Sequence, residues 1–570
     1  MGLALSYNLF AMAGKVECSI TVDVEKIRLD KVTYLSVGQR MDAHHSFEFR
    51  MVLEDAKKET FTDHARKYLG KHAAIEINFA NQTAAAKDLR FEGVVTGTSF
   101  HRSQGGSPEI SISGHSKTLL LDGQGRNRSF SEKNLKQVVD ALCEALGDST
   151  FKTKIAPKYK AKLPYVVQYE ESDLQFLTRL ANRYGEWFFF DGTTLYFGKP
   201  ADQKSEELTF GLNLFSFDIA LGLQRNNFQQ KHWDHKEHTL NNSSSSDQKL
   251  GLDDDAYGGL LKNPAAQLFK PGDLTMVGNA ADKGDLDQRT SARKQANASR
   301  SVSFSGVSDH TRLHPGVRIK VKGSTIGDKG EEPGEYGEFY VTSVQHSSSN
   351  GNYQNHFEAV PATDDMVPIA YAHQPVCDPQ SARVMHVDDP DKLGRVRVQF
   401  LWQQGGSELS PWIRVLTGHA HESGGSYLLP EVNDEVLVDF EFNDPEQPVV
   451  VGSLFNGKHK PDAAWADERN ETKAFRTKGG NEVLISDKPG KESVTVRNKD
   501  GKNEVVLSLG GEPGITIKSD GKLTLDAKTI ELKCQDLKVD AKTGVEVSST
   551  KVKMDGSALV EVTGGLIKLN

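Results

Sequence analysis

The sequence predicts a mainly β protein with minor α content, ending in an intertwined β-prism shared by several chains. Three observations carry this. Alternating apolar and polar residues, the period-two mark of a strand with one buried face, recur from residue 15 onward. Gly is plentiful, at 51 of 570 residues, while hydrophobic residues make up only 37%; that balance suits many strands and turns and surfaces completed by partners. The last fifty residues repeat an apolar-polar-apolar step every seven or eight positions, a return too short for ordinary hairpins and far too short for strand-helix-strand units.

Length and charge set the outer bounds. A chain of 570 residues holds about three or four domains. The net charge of −9 gives no reason to expect a nucleic-acid partner. Cys18, Cys143, Cys377 and Cys534 are isolated, with neither metal-ligand spacing nor a disulfide framework, as in a chain folded in a reducing cytoplasm. No stretch reaches the eighteen or so apolar residues of a membrane helix. MGLALSYNLFAMAGK lacks the basic start of a secretory signal, and the match of Gly2 and Ser6 to the loose myristoylation pattern is attributed to chance.

Residues 15 to 120 read as strands of a barrel or sandwich: CSITVDVEKIRL, HSFEFRMVL, AAIEINFA, LRFEGVVTGTSF and EISISGHSKTLLL. His44 and His45 are adjacent, so on a strand they point to opposite faces and share no metal. A helix is expected from a Ser131 cap, with Leu135, Val138, Val139, Leu142 and Leu146 on one face and Gly147 as its stop. From Tyr165 to Gly198 the pattern is strand, helix, hairpin: Ser172 caps, Leu174, Phe176, Leu177 and Leu180 face inward, Gly185 ends the helix, and the strand opening at Trp187 turns at Asp191-Gly192.

Residues 224 to 300 are polar and loop-like, with a helical patch at Ser291 to Ser299. Within them HWDHKEH sets His232, His235 and His238 three residues apart; on a helix this spacing gathers imidazoles for a metal, but a solvated polar segment is the preferred reading. Strands resume at HPGVRIKVKG and run through Gly337 to Ala362, where His346 is read as a structural hydrogen-bonding group and not a catalytic base.

Residues 373 to 457 hold about five short strands, which suits an OB-fold barrel. Such barrels often bind nucleic acid, but Glu431, Asp434, Glu435, Asp439, Glu441 and Asp444 crowd the aromatic positions and disfavour a polyanion. The fifteen residues GKHKPDAAWADERNE then lead into the final strand region. Its inward positions are the pairs Leu523/Leu525, Ile530/Leu532, Leu537/Val539, Val545/Val547, Val552/Met554 and Val560/Val562. A lone ribbon leaves that apolar face wet and a row of backbone groups unpaired, so identical chains about a shared axis, most simply three, are expected. Leu566, Ile567 and Leu569 form the expected blunt tip, and the pattern's run to Asn570 leaves no further domain expected beyond it.

Three segments resemble one family. QYEESDLQFLTRL closely resembles the Q-Y-x-E-S-D-x-x-F-x-x-R-L signature of VgrG proteins, the spikes of type VI secretion systems, and of phage tail hub proteins; it is carried by Gln168, Tyr169, Glu171, Ser172, Asp173, Phe176, Arg179 and Leu180. Tyr340, Val341, Val344, His346, Tyr353, Asn355 and Phe357 resemble the end of that family's second barrel. Gly394, Arg395, Val396, Glu435, Val436, Asp444, Pro445 and Asn456 match its base-plate OB domain, with Asn433 and Asn443 replacing the usual Gly at two turns. Asn tolerates a left-handed backbone better than other side chains, so both turns are expected to survive.

The resemblance implies a phage-hub-like domain of two β-barrel subdomains with helical insertions at 1–370, an OB-fold at 373–457, a linker at 458–472 and a trimeric β-helix spike at 473–570. It implies a homotrimer that adapts a hexameric (Hcp-like) tube protein to a three-fold needle, meets baseplate proteins, and carries a PAAR-type tip protein or effector cargo. On this reading the machine is assembled in the bacterial cytoplasm and its spike is expelled on contraction, without stable membrane anchoring. Type VI system, extracellular injection particle and phage tail remain open. No catalytic motif, cofactor or metal site is expected, so a cell-wall hydrolase and a trimeric adhesin or tail fibre are the lesser alternatives.

Overall fold

The computed structural model describes residues 14–23, 25–27, 32–53, 60–79, 89–148, 150–201, 205–252, 257–270, 275–327, 330–349, 352–362, 372–403 and 408–568. Gly2, Ser6 and the tip residue Leu569 lie outside them. The protein is mainly β, 41% strand and 13% helix, and divides into two compact units, Met1–His459 and Lys460–Asn570.

Eight strands of the first unit close a ring. Gly330–Ser349 pairs with Val32–Arg40, followed in turn by Ser46–Val52, Glu109–Ser116, Leu89–His101, His72–Phe79, Gly14–Val22 and Asn352–Pro361, which pairs back with Gly330–Ser349. Alternate side chains such as Ile20, Val37, Phe49, Ile75, Phe91 and Ile112 fill it. The same hairpin walls a second, smaller barrel, with Arg318–Gly327 and Glu206–Thr209 on one side and Val302–Ser308 and Leu214–Leu221 on the other. A bridge between Phe210 and Leu214 joins its ends around Phe304, Ile319, Phe339 and Phe357.

Where the hairpin meets the first barrel, the interior is polar. The Tyr353 hydroxyl lies 2.6 Å from His346 Nδ1, and His346 Nε2 lies 3.3 Å from Gln39 Oε1. Gln39 Nε2 in turn sits 3.4 Å from His45 Nδ1 and donates to the Asp191 carbonyl at 3.3 Å. His346 thus has the structural role expected of it. His45 is fully buried and His44 is not; His44 reaches Thr118 and Asp122 instead.

Between the barrels an insertion packs helices Leu135–Glu144 and Asp173–Tyr184 around Phe176, Leu177, Leu180, Phe188 and Phe197. Ser131 does not cap the first helix. It lies in strand Arg126–Asn134, opposite Tyr165, and this pairing extends the chain three residues further, to Asn134. Asn134 and Gln137 then form a reciprocal capping box. Ser172 does cap the second helix, and Gly185 ends it with φ 69°. Residues 224–300 hold more structure than expected: the hairpin Gln229–Asp234/Thr239–Ser244, helix Gly258–Leu268, and a helix spanning Lys283–Ala298, of which the sequence betrayed only the second half.

In the OB-fold the sheet order is Arg397–Phe400, Gln380–His386, Glu435–Phe440, Pro448–Leu454. PWIRVLTG forms no strand of its own. It bonds Val396 through Ile413 and then Val450 through Arg414 and Leu416, crossing from one edge to the other and so closing the barrel. Asn433 and Asn443 take φ of 77° and 55°. Asn433→Gly is therefore expected to leave the denaturation midpoint unchanged or slightly raised, and Asn433→Ala to cost about 1 kcal/mol.

The second unit begins with an antiparallel meander of five strands, Thr472–Arg476, Glu482–Ser486, Ser493–Arg497, Glu504–Ser508 and Gly514–Lys518. Past it, residues 519–568 form no strand pairing within the chain.

Candidate functional site

Two features stand out, one in each unit. In the first, the helix of the signature stretch is anchored by a chain of buried charges. Arg179, 1% exposed, makes a two-pronged bond to Glu171 at 2.7 Å on each arm and also donates to the Val167 carbonyl. Its remaining nitrogen reaches Glu446 of the OB-fold at 3.1 Å, and Arg183, one turn on, reaches the other oxygen of Glu446 at 2.7 Å. Asn279 donates to Glu446 at 2.6 Å and accepts from Arg289, which pairs with Asp285, the acceptor of the Tyr159 hydroxyl. One carboxylate thus ties the helix Asp173–Tyr184 directly, and the helix Lys283–Ala298 through Asn279 and Arg289, to the OB-fold. Burial works against its charge, yet the Arg183 and Arg179 guanidiniums hold Glu446 below the usual carboxylate range. Burial and the Glu446 charge push neighbouring Asp444 up to about 6.

The other signature residues support this joint. Gln168 donates to the Glu171 carbonyl and to Asp173, which also faces Arg128. Phe176 and Leu180 are fully buried, with the Arg179 guanidinium over the Phe176 ring. The Tyr169 hydroxyl accepts from Gln380 of the OB-fold, whose amide oxygen receives Trp402 Nε1. Within the OB-fold, Gly394 turns with φ 71° and buried Arg395 grips Asp389 and Asp391. Val396 and Val436 are core residues, Asn456 donates to Glu435, and the Asp444-Pro445 corner presents Glu446, whose N–H bonds Asp444. The OB-fold motif passes over Glu446 and the signature stops three residues before Arg183, so neither marks the pair, whose members lie 263 residues apart in the chain.

His232, His235 and His238 do not sit on a helix. His232 donates from a strand to the Val277 carbonyl, and His238, in the following turn, packs edge-on against Trp233. Among the described residues no group of His, Cys, Asp and Glu is arranged to hold a metal. A cleft of about 540 Å³ lies beside this hairpin, but the guanidiniums lining it are engaged, Arg395 by Asp389, Arg397 by the Ser410 carbonyl and Arg414 by Glu441. These charges hold parts of the protein together.

In the second unit the twelve ladder residues, Leu523, Leu525, Ile530, Leu532, Leu537, Val539, Val545, Val547, Val552, Met554, Val560 and Val562, are each 53–74% exposed in the single chain, and Leu566 and Ile567 are exposed too. The sequence reading missed that apolar exposure begins earlier. Strand register brings Phe475, Val483, Ile485, Val494, Val496, Val505, Leu507, Ile515 and Ile517 onto one face of the meander. The opposite face carries Thr472, Glu482 and Thr495, all buried. There Arg476 and Arg497 both grip Glu482, Trp465 donates to it, and Arg476 stacks on the Trp465 ring at 4.5 Å. The plain alternation of these five strands was the signal that could have found this face.

A double barrel bolted through a signature helix to an OB-fold defines a baseplate-hub protein of the injector class. The phage tail baseplate hub family model matches residues 44–352, and that of the type VI secretion system/phage-baseplate injector OB domain matches 380–455. The chain belongs to this VgrG and phage-tail hub family. The type VI secretion system spike protein VgrG4b of Pseudomonas aeruginosa is 26% identical over 426 residues, 66% of this chain and 50% of that protein. Spike protein VgrG1a of the same organism is 24% identical over 434 residues, 69% and 65% respectively. The chain thus spans about half to two thirds of the length of these relatives. A chain of the lidded Francisella PdpA–VgrG complex shares the fold, with TM-score 0.55, 10% identity and coverage of 89% of this chain and 81% of that one.

Proposed function

We propose that this chain is the spike of a contractile injection machine and works as a homotrimer. Residues 1–370 serve as the hub, 373–457 as a collar and 473–570 as the needle, with 458–472 between collar and needle. The hub receives a hexameric tube protein, its two barrels per chain offering six similar units in a trimer, and meets the surrounding baseplate. Leu566 and Ile567 take a PAAR-type tip protein, and effector cargo rides on the same spike. The spike is assembled in the bacterial cytoplasm and expelled on contraction.

The observation that carries the reading is the bare apolar ladder. Twelve side chains at regular spacing, with no hydrogen-bonded strand partner in their own chain, make a stable needle only when copies of the chain cover one another. Neither a hydrolase nor an adhesin is favoured by any comparable feature. Light scattering on the purified chain is expected to give three times 62.8 kDa. A mass of one chain at micromolar concentration would sink the trimeric needle.

A further inference from the structure

We infer that the cleft between the hairpin Gln229–Asp234/Thr239–Ser244 and the OB-fold docks a short acidic segment of another protein, one in which an aromatic side chain stands next to a carboxylate. Every residue lining the cleft belongs to the first unit, so this role stands or falls apart from the needle.

The walls are aromatic and apolar, and the chain leaves them open. Trp233, Met276 and Phe442 are exposed at 39%, 41% and 66%, and Trp412 is half-buried. Trp, Phe, Met and Arg are the side chains that concentrate where proteins meet proteins. A volume of about 540 Å³ is that of an ordinary ligand pocket. Phe442 is also held in an unfavourable backbone, with φ 59° and ψ 20°, the left-handed region that bulky side chains avoid. The turn at Gly278 keeps it there: a Cβ on that glycine would come within 3.3 Å of the Phe442 ring. So exposed a ring buries too little to offset the strain within the chain, and strain of this kind clusters at sites shaped in advance for a ligand.

The polar groups of the cleft carry an excess of donors. Arg395 and Arg414 are taken by Asp389 and Glu441, but Arg397 uses only its Nε, on the Ser410 carbonyl. Its two terminal nitrogens have no partner among the described residues, and its guanidinium lies 6.0 Å from the centre of the Trp412 ring. The indole N–H groups of Trp233 and Trp412 likewise meet no acceptor among the described residues. The acids are mostly occupied. Glu441 holds Arg414, Glu446 holds Arg179 and Arg183, and Asp234 accepts the N–H groups of Lys236 and Glu237. Only exposed Glu132 is left. An occupant must therefore bring acceptors, and a carboxylate fits the open fork of Arg397. A nucleic acid does not suit the cleft, because Glu132, Asp234, Glu441 and Glu446 repel a run of phosphates.

Saturation-transfer NMR on the full-length protein tests this with acetyl-Gly-Phe-Asp-Gly-amide and acetyl-Gly-Asp-Phe-Gly-amide, each beside its twin with Asn in place of Asp. At least one acidic peptide is expected to bind with Kd below about 1 mM and about tenfold more tightly than its twin. Arg397→Gln should erase that tenfold difference, and Phe442→Ala should weaken binding at least fivefold while leaving the light-scattering mass unchanged. The comparison of twins on the wild type needs no variant, so it decides even if Arg397→Gln fails to fold. Equal affinity for acidic and Asn peptides overturns the inference, as does no binding of either acidic peptide at millimolar concentration, or binding untouched by Phe442→Ala. A fall in mass for Phe442→Asp overturns it too, by showing that a second copy fills the cleft. A one-chain mass for the wild type bears on the needle alone.

Discussion

Glu446→Ala is expected to destabilise the first unit by about 3–5 kcal/mol and to loosen the OB-fold from the helical insertion. The side chain is buried and receives Arg179, Arg183 and Asn279, so its removal leaves two guanidiniums facing each other in a dry joint. Arg179 retains Glu171, but Arg183 has no other ion-pair partner among the described residues. The damage should therefore be relieved when Arg183 is neutralised as well. Glu446→Ala with Arg183→Met is expected to recover at least half of the lost stability, whereas Glu446→Ala with Glu171→Ala should be worse than either alone. Urea unfolding followed by tryptophan fluorescence measures all three, since Trp402 lies in the OB-fold beside Gln380 and reports on the interface with Tyr169. A Glu446→Ala midpoint within 0.5 kcal/mol of wild type would mean that the joint carries no load.

That joint marks where the sequence was legible and where it was not. The local half of it was readable: Ser172 as cap, Phe176 and Leu180 as core, and Gly185 as stop follow from spacing alone, and the structure places each accordingly. Arg179 and Glu171 stood out as signature residues without a stated reason, which is their bond across the strand-to-helix corner. Glu446 was invisible because contacts across more than 260 residues leave no trace in a single sequence. Ser131 misled for a related reason. It satisfied the cap rule locally, but pairing with the strand Lys162–Glu171 decided how far the chain stayed extended. The meander face shows a third limit: its alternation was plain, but the shorter, more regular beat after Lys522 drew attention away from it. At Asn433 and Asn443 the opposite holds, since a substitution that seemed to threaten a turn kept the backbone shape the turn requires.

Acid should weaken the double barrel well before its carboxylates titrate. His45 and His346 lie fully buried between the shared hairpin and the first barrel, and desolvation pushes each from 6.5 down to about 3; His314 lowers both further and His44 lowers His45. Above pH 7 both rings are neutral in the folded and unfolded chain, and neither affects stability. Below 6.5 the unfolded chain takes up protons that the folded one refuses, so each ring costs about 1.4 kcal/mol per pH unit until about pH 3. Two rings give about 4 kcal/mol lost by pH 5. Asp444 works in the opposite sense, because a carboxyl raised to about 6 binds its proton in the folded state first and returns roughly 1.4 kcal/mol over the same range. The net expectation is a loss of about 3 kcal/mol between pH 7 and 5, read from urea midpoints. Asp444→Asn should steepen the slope by removing the offset. His346→Gln should shallow it by about half of the histidine contribution, since glutamine can still meet Tyr353 and Gln39 but takes up no proton. A wild-type midpoint that stays flat from pH 7 to 5 would mean that these rings are already charged in the folded protein, and the buried neutral network around Gln39 would have to be redrawn.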